Sequence, residues 1–187
     1  TGLKIAAPGG KIYEQPTDRL ILAVGHSARD TFEMLHKNGV YIEQKPFSVG
    51  VRIEHVQKSV DAAQYGRFAG HPALGAADYK LAAHFDNGRS AYTFCMCPGG
   101  MVVAAASEPG RVVTNGMSEF ARDGKNANAA LLVGVEPRDF GSAHPLAGMY
   151  FQRRLEEAAF RAGGGDYRAP AQLVGDLSLI HISEPTR

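Results

Sequence analysis

Leu20-Ile21-Leu22-Ala23-Val24-Gly25-His26-Ser27-Ala28-Arg29-Asp30 is the stretch on which the fold class turns. It begins with a short, continuous apolar run, Leu20 to Val24. A run of that length and character suits a strand buried on both faces, as in a parallel sheet. A polar loop follows from Gly25 to Arg29. Asp30-Thr31-Phe32-Glu33 has the spacing of a capping box, Phe32 and Leu35 supply one apolar helix face, and Asn38-Gly39 supplies a stop. Open α/β sheets place ligands where a buried strand ends and a loop leads into a helix. Gly25 would let a ligand approach the backbone closely, and His26 and Ser27 would offer hydrogen bonds. Backbone N–H groups at the helix start would favour an anion. The same pattern also describes a strand-to-helix turn with no ligand, and the residues alone leave both readings open.

Upstream, Leu3, Ile5 and Ala7 alternate before Pro8-Gly9-Gly10, and Ile12 and Tyr13 follow. This is a hairpin signal. Downstream the period changes to two. Phe47, Val49, Val51 and Ile53 share one face; Ser48, Gly50, Arg52 and Glu54 share the other. This predicts a half-buried antiparallel strand, with Arg52 and Glu54 on a solvated face rather than acting as a catalytic pair. A short helix is expected over Val60 to Tyr65, and a surface loop over 66–90. Short strands are expected over 91–96, 101–105, 111–114 and 129–135, with Asn115-Gly116 as a turn dipeptide. The last helix follows Pro145, passes through Phe151, Leu155, Ala158, Ala159 and Ala162, and stops at Gly163-Gly164-Gly165. The fold class expected is therefore α/β at the start and α+β, rich in strands, afterwards. Ser178 to Arg187 continue no pattern. They resemble a translated sequencing adapter and are set aside as a processing scar; an ordinary disordered terminus is the alternative.

Charge is balanced, with 20 Lys+Arg against 19 Asp+Glu, so nucleic acid is a poor partner. A length of 187 residues, 44% hydrophobic, allows one ordinary domain or parts of two. No apolar stretch approaches the ~20 residues of a membrane helix, so no membrane partner is expected. The first residues carry no signal-peptide pattern and read as the middle of a strand. Two cysteines are too few for a disulfide framework, which makes a reducing, cytoplasmic setting the expectation.

Those two cysteines lie in Tyr92-Thr93-Phe94-Cys95-Met96-Cys97-Pro98-Gly99-Gly100. On a regular strand Cys95 and Cys97 would face the same side. Adjacent thiols suit redox exchange or nucleophilic work, but two small buried residues would leave the same trace. Structural zinc wants four ligands, and no second pair exists. Pro98-Gly99-Gly100 reads as a sharp turn that serves the backbone beside a bound group. The Asn-rich stretches 115–118 and 122–128 read first as turn chemistry. Seven scattered histidines show no HxH or HExxH pattern, so no metal site is expected.

Several of these blocks occur together in one family. Ala23-Val24-Gly25-His26-Ser27-Ala28-Arg29-Asp30-Thr31, Lys45 to His55, Thr93 to Gly100, Thr114 to Ser118 and Ala169-Pro170-Ala171-Gln172 resemble bacterial FAD-dependent oxidoreductases, still uncharacterised, of the glutathione-reductase type. Matches in order across 1–177 are far more specific than any one glycine motif. The resemblance implies a Rossmann-like FAD-binding domain interrupted by a β-rich substrate domain. Residues 1–39 would be the end of the first FAD-binding stretch, 40–176 the insertion, and 177–187 a non-native tail. It implies FAD as cofactor, NADH or NADPH as a reductant, and a small-molecule substrate reached by hydride transfer at the flavin. Gly25, His26 and Ser27 would contact the flavin side; Cys95 and Cys97 would be the reactive groups. The alternative is a binding or interaction module without a redox role. The sequence departs from the family in three places. It has no GxGxxG, no C-terminal glycine-rich FAD segment, and Val56 where proline is expected after Glu54-His55. An interior fragment that does not hold FAD alone is the expectation, with Leu20 to Val24 left as an unpaired strand.

Overall fold

The computed structural model of the chain describes residues 2–179, which fall into two units that divide between Val40 and Tyr41. The first unit holds the expected hairpin. Strands β1 (Gly2–Ala6) and β2 (Ile12–Pro16) pair antiparallel, with Ile5 opposite Tyr13. Gly9 and Gly10 take φ of 88° and 82°, left-handed values that a side chain would disfavour, and so allow the tight return. Helix α1 (Arg29–Lys37) starts two residues earlier than its capping pattern implies. Asp30 lies inside the first turn, where its Oδ1 accepts from Thr31 N at 2.9 Å. The stop is as expected. Gly39, at φ 76°, donates to His36 O at 3.0 Å, and Val40 N reaches back to Leu35 O at 3.1 Å.

Leu20 to Val24 corrects the sequence reading. It forms no strand, and Leu20 and Ile21 are 60% and 90% exposed. A parallel strand needs hydrogen-bonded neighbours, and the hairpin is this unit's one sheet among the described residues. Every strand pairing among the described residues is antiparallel, so the architecture is mixed α/β with antiparallel sheets.

The second unit is built on a four-stranded sheet. β3 (Phe47–Val56), β4 (Ala82–His84), β5 (Ser90–Cys97) and β8 (Asn126–Val135) lie in the order β3-β8-β5-β4. β6 (Gly100–Ala105) and β7 (Val113–Ser118) form a separate hairpin. The expected 66–90 loop therefore contains one short strand, β4, which gains order by pairing with β5. Asn115-Gly116 is not a turn. It lies inside β7, opposite Val103 and Val102, because the β6 ladder holds it extended.

The period-two pattern of β3 places Phe47 and Val49 on one cluster with Val135, Phe140, Ala147 and Phe151. Phe47 stacks on Phe140 with centroids 5.0 Å apart, and Phe151 meets Phe140 at 5.7 Å. Two of these residues come from α3 (Ala147–Ala162), which ends at the glycines as expected. α2 (Gln57–Tyr65) starts directly after β3 and buries Val60 against Ala77 and Ala127. α4 spans Val174–Leu179; the remainder of the tail set aside above lies outside the described residues.

One ion pair fixes the turn after β8. Arg89 Nη2 and Nη1 donate to Asp139 Oδ1 and Oδ2 at 2.7 and 3.1 Å, and Nη1 also reaches Gly134 O at 2.9 Å. Hydrogen bonding from Arg89, with help from the Glu136 N–H, lowers the Asp139 carboxyl to about 2.

Two outcomes follow for stability. Phe140→Ala removes the most enclosed ring of its cluster and is expected to cost about 3–5 kcal/mol in urea unfolding. Asp139→Asn tests the ion pair by its pH dependence. Because the folded carboxyl titrates below its ordinary value near 3.9, its stabilisation is fully present above that value. It is lost as pH falls through about 2. Wild type should exceed Asp139→Asn in melting temperature at neutral pH, with the gap closing on acidification; a gap independent of pH would contradict the pairing.

Candidate functional site

In the first unit the Gly25 turn has the form a ligand-facing loop needs. Gly25 takes φ 79°, and His26 Nδ1 and Ser27 Oγ share a hydrogen bond at 3.0 Å on exposed side chains. The anion expectation at the α1 start is corrected. Arg29 N donates to Ser27 O at 2.9 Å, and Thr31 N and Phe32 N donate to Ala28 O at 3.1 and 3.3 Å. Those donors are occupied, and the Asp30 carboxylate shares the same turn.

In the second unit Cys95 and Cys97 are not side by side. Their register against β8 slips between Phe94 and Cys97, and Cys95 takes φ 49°. The bulge resets the alternation, leaving Cys95 exposed and Cys97 buried. A left-handed non-glycine residue is strained unless its surroundings hold it. Here the Cys95 carbonyl accepts from Arg52 Nη1 at 3.2 Å and from the Cys97 thiol at 3.4 Å.

Arg52 and Glu54 were expected on a solvated face; Glu54 is exposed as expected, Arg52 is half-buried, and both take part in a polar cluster. Arg52 Nη1 donates to Asn128 Oδ1 at 2.5 Å and lies 3.8 Å from Cys97 Sγ. Glu54 accepts from Asn126 Nδ2 at 2.7 Å and from Val102 N at 2.9 Å. The reason is a second layer, because the β6–β7 hairpin lies over this part of the sheet. At Gly116 a Cβ would stand 2.0 Å from Arg52 Nη1 and 2.3 Å from Asn128 Oδ1. Asn128 is fully buried, and its Nδ2 has no partner among the described residues.

Gln57 holds the neighbouring loop. Its Oε1 accepts from Gly99 N at 2.8 Å, and its Nε2 donates to Asp61 Oδ1 at 2.8 Å and Ala77 O at 2.9 Å. Pro98, Gly99 and Gly100 are all buried. Their smallness serves the chain's own backbone, since a Cβ on Gly99 would lie 2.0 Å from Arg122 O and one on Gly100 2.3 Å from Met117 O. His55 sits half-buried beside Tyr79, 5.5 Å between ring centroids, and burial holds its imidazole below the usual range.

Sequence reasoning thus missed Arg52, Gln57 and Asn128. One signal was present. Asn126 and Asn128 share a face at the start of an apolar strand, as do Arg52 and Glu54 on β3, and matching polar rows on neighbouring strands indicate a buried network. No cluster of three or more His, Cys, Asp or Glu able to hold a metal occurs among the described residues. No described helix is long and apolar enough to cross a membrane.

Gly116→Ala is expected to destabilise the protein by about 1–3 kcal/mol, because the added methyl must displace Arg52 or Asn128. Urea unfolding checks this. Asn115→Ala, beside it, removes only the Oδ1 that accepts from Gly116 N at 2.8 Å and should cost about 0.5–1.5 kcal/mol.

Two comparisons bear on kinship. An uncharacterized protein of Clostridium beijerinckii is 54% identical over 167 residues, which is 89% of this chain and 31% of that protein. The chain thus spans about a third of the length of the curated relative it matches. The family model described as FAD-dependent protein, C-terminal domain-like, matches residues 46–185. That match covers the four-stranded sheet, the β6–β7 hairpin and the Arg52, Gln57 and Asn128 cluster, and the chain belongs to this family of FAD-dependent proteins.

Proposed function

We propose that the chain is part of an FAD-dependent oxidoreductase that acts on a small molecule by hydride transfer at the flavin, with NADH or NADPH as reductant. The family match over residues 46–185 carries this reading. The first unit supports it. An apolar run of strand composition left open on both faces, Leu20 to Val24, is what a piece of a larger, Rossmann-like sheet would present.

FAD, when bound, would supply the hydride chemistry. The residues present fit a contact wall rather than a complete cradle, because the α1 donors are already engaged. Gly25 would admit the ligand close to the backbone, and His26 and Ser27 would hydrogen-bond it and fix its orientation. Cys95 and Cys97 would be the reactive groups toward the substrate, with Arg52 holding the Cys95 carbonyl and Gln57 the Gly99 N–H beyond them. A reducing, cytoplasmic setting agrees with the free thiols.

A second reading, a binding module without redox chemistry, draws on one observation. Met101 and Met117 pair on the outer face of the β6–β7 hairpin at 59% and 54% exposure. The test is spectroscopic. The full-length protein that carries this chain, purified gently and supplied with FAD, should retain a flavin absorbance band that bleaches on addition of NADH or NADPH. A protein that retains no flavin overturns the oxidoreductase reading; one that also co-purifies with a stable partner favours the module.

A further inference from the structure

The bulge of β5 brings together three features that neither a plain strand nor a flavin contact requires. Cys97 is buried, at 9% exposure, with Arg52 Nη1 3.8 Å from its sulfur. Its register partner on β8 is Asn128, wholly buried, whose Nδ2 is a donor without an acceptor among the described residues. A buried amide donor left unpaired is destabilising, so an acceptor brought to this spot would be favoured. Two residues away stands a second thiol, Cys95, exposed at the surface.

We propose that Cys97 and Cys95 form a hydroperoxide-reactive pair, in which Cys97 is oxidised and Cys95 resolves it. In the first step the Cys97 sulfur attacks the terminal oxygen of a hydroperoxide. The O–O bond breaks, a sulfenic acid forms on Cys97, and the thiol proton leaves with the alcohol or water released. The new oxygen would be an acceptor beside Arg52 Nη1, across the ladder from Asn128 with its unpaired Nδ2. In the second step the Cys95 sulfur displaces that oxygen, giving a Cys95–Cys97 disulfide and one water. A dithiol reductant returns the pair to the thiols. A neighbouring resolving thiol often accompanies a redox-active cysteine.

The backbone suits the second step. On a regular strand residues two apart stand about 6.6 Å between Cα atoms. That is close to the upper limit of roughly 6.8 Å for a disulfide. Cys95 also starts from a strained left-handed conformation, and relaxing it toward extended backbone turns its side chain to the Cys97 face. Nothing in these steps requires a flavin, so the proposal stands or falls apart from the oxidoreductase reading.

Peptide mass spectrometry after brief treatment of the chain with hydrogen peroxide tests it. The wild-type peptide holding both cysteines should lose the mass of two hydrogens, and dithiothreitol should restore it. Cys95→Ser, an exposed change that leaves the core intact, should stop at one added oxygen on Cys97, captured by dimedone. Arg52→Met should slow oxidation of Cys97 about tenfold, the value of one charge-assisted hydrogen bond. Oxygen uptake on Cys95 with Cys97 untouched, a disulfide joining two chains instead of one, or no dimedone adduct in Cys95→Ser would each overturn the proposal.

Discussion

β8 pairs along its whole length with β3, from Phe47 opposite Val135 to Val56 opposite Asn126, and with β5 on its other edge. Its backbone groups are therefore committed on both sides, and everything else in the second unit is placed relative to it. One face of β8 closes the Val60 and Phe140 clusters through Ala127 and Val135. The other carries Asn126 and Asn128 to the acid and base of β3. A one-residue slip of β8 would exchange these faces, driving asparagines into apolar clusters. The apolar and polar rows thus specify the same register independently.

The polar row is the less common feature. Buried hydrogen-bonding groups contribute little net stability but are costly when unmade, so each bond made in this row favours one arrangement. Gln57 illustrates this. One amide joins the start of α2 to the Pro98-Gly99-Gly100 loop and to Ala77, segments distant in sequence. Arg52 does the same for the bulge, meeting the Cys95 carbonyl and Asn128 with one nitrogen. Geometry near the two cysteines is therefore set from outside their own strand.

Much of this was legible in the sequence where the deciding physics is local. The Gly9-Gly10 return, the Asn38-Gly39 stop, the alternation of β3 and the glycine end of α3 all depend on neighbouring residues, and all appear as expected. What failed depends on residues distant in the chain. Asn115-Gly116 has turn chemistry, yet β6 holds it in a ladder and Arg52 occupies the space a side chain would need. The bulge that separates Cys95 from Cys97 arises from the pairing with β8, which neither cysteine encodes. Arg52 looked solvated because the hairpin that covers it lies some fifty residues or more downstream. Leu20 to Val24 failed differently. Its composition calls for neighbours on both sides, and the described residues supply none.

The placement of β8 also orders events on the ribosome. β3 and β5 are both synthesised before Asn126–Val135, yet neither has its principal partner until that segment emerges. For that interval their edges and apolar faces wait in the nascent chain, and pairing of such long sequence separation closes slowly. The strands best able to associate wrongly are therefore those made early and completed late. Folding helpers that act on this chain would have their longest opportunity before residue 135 leaves the exit tunnel.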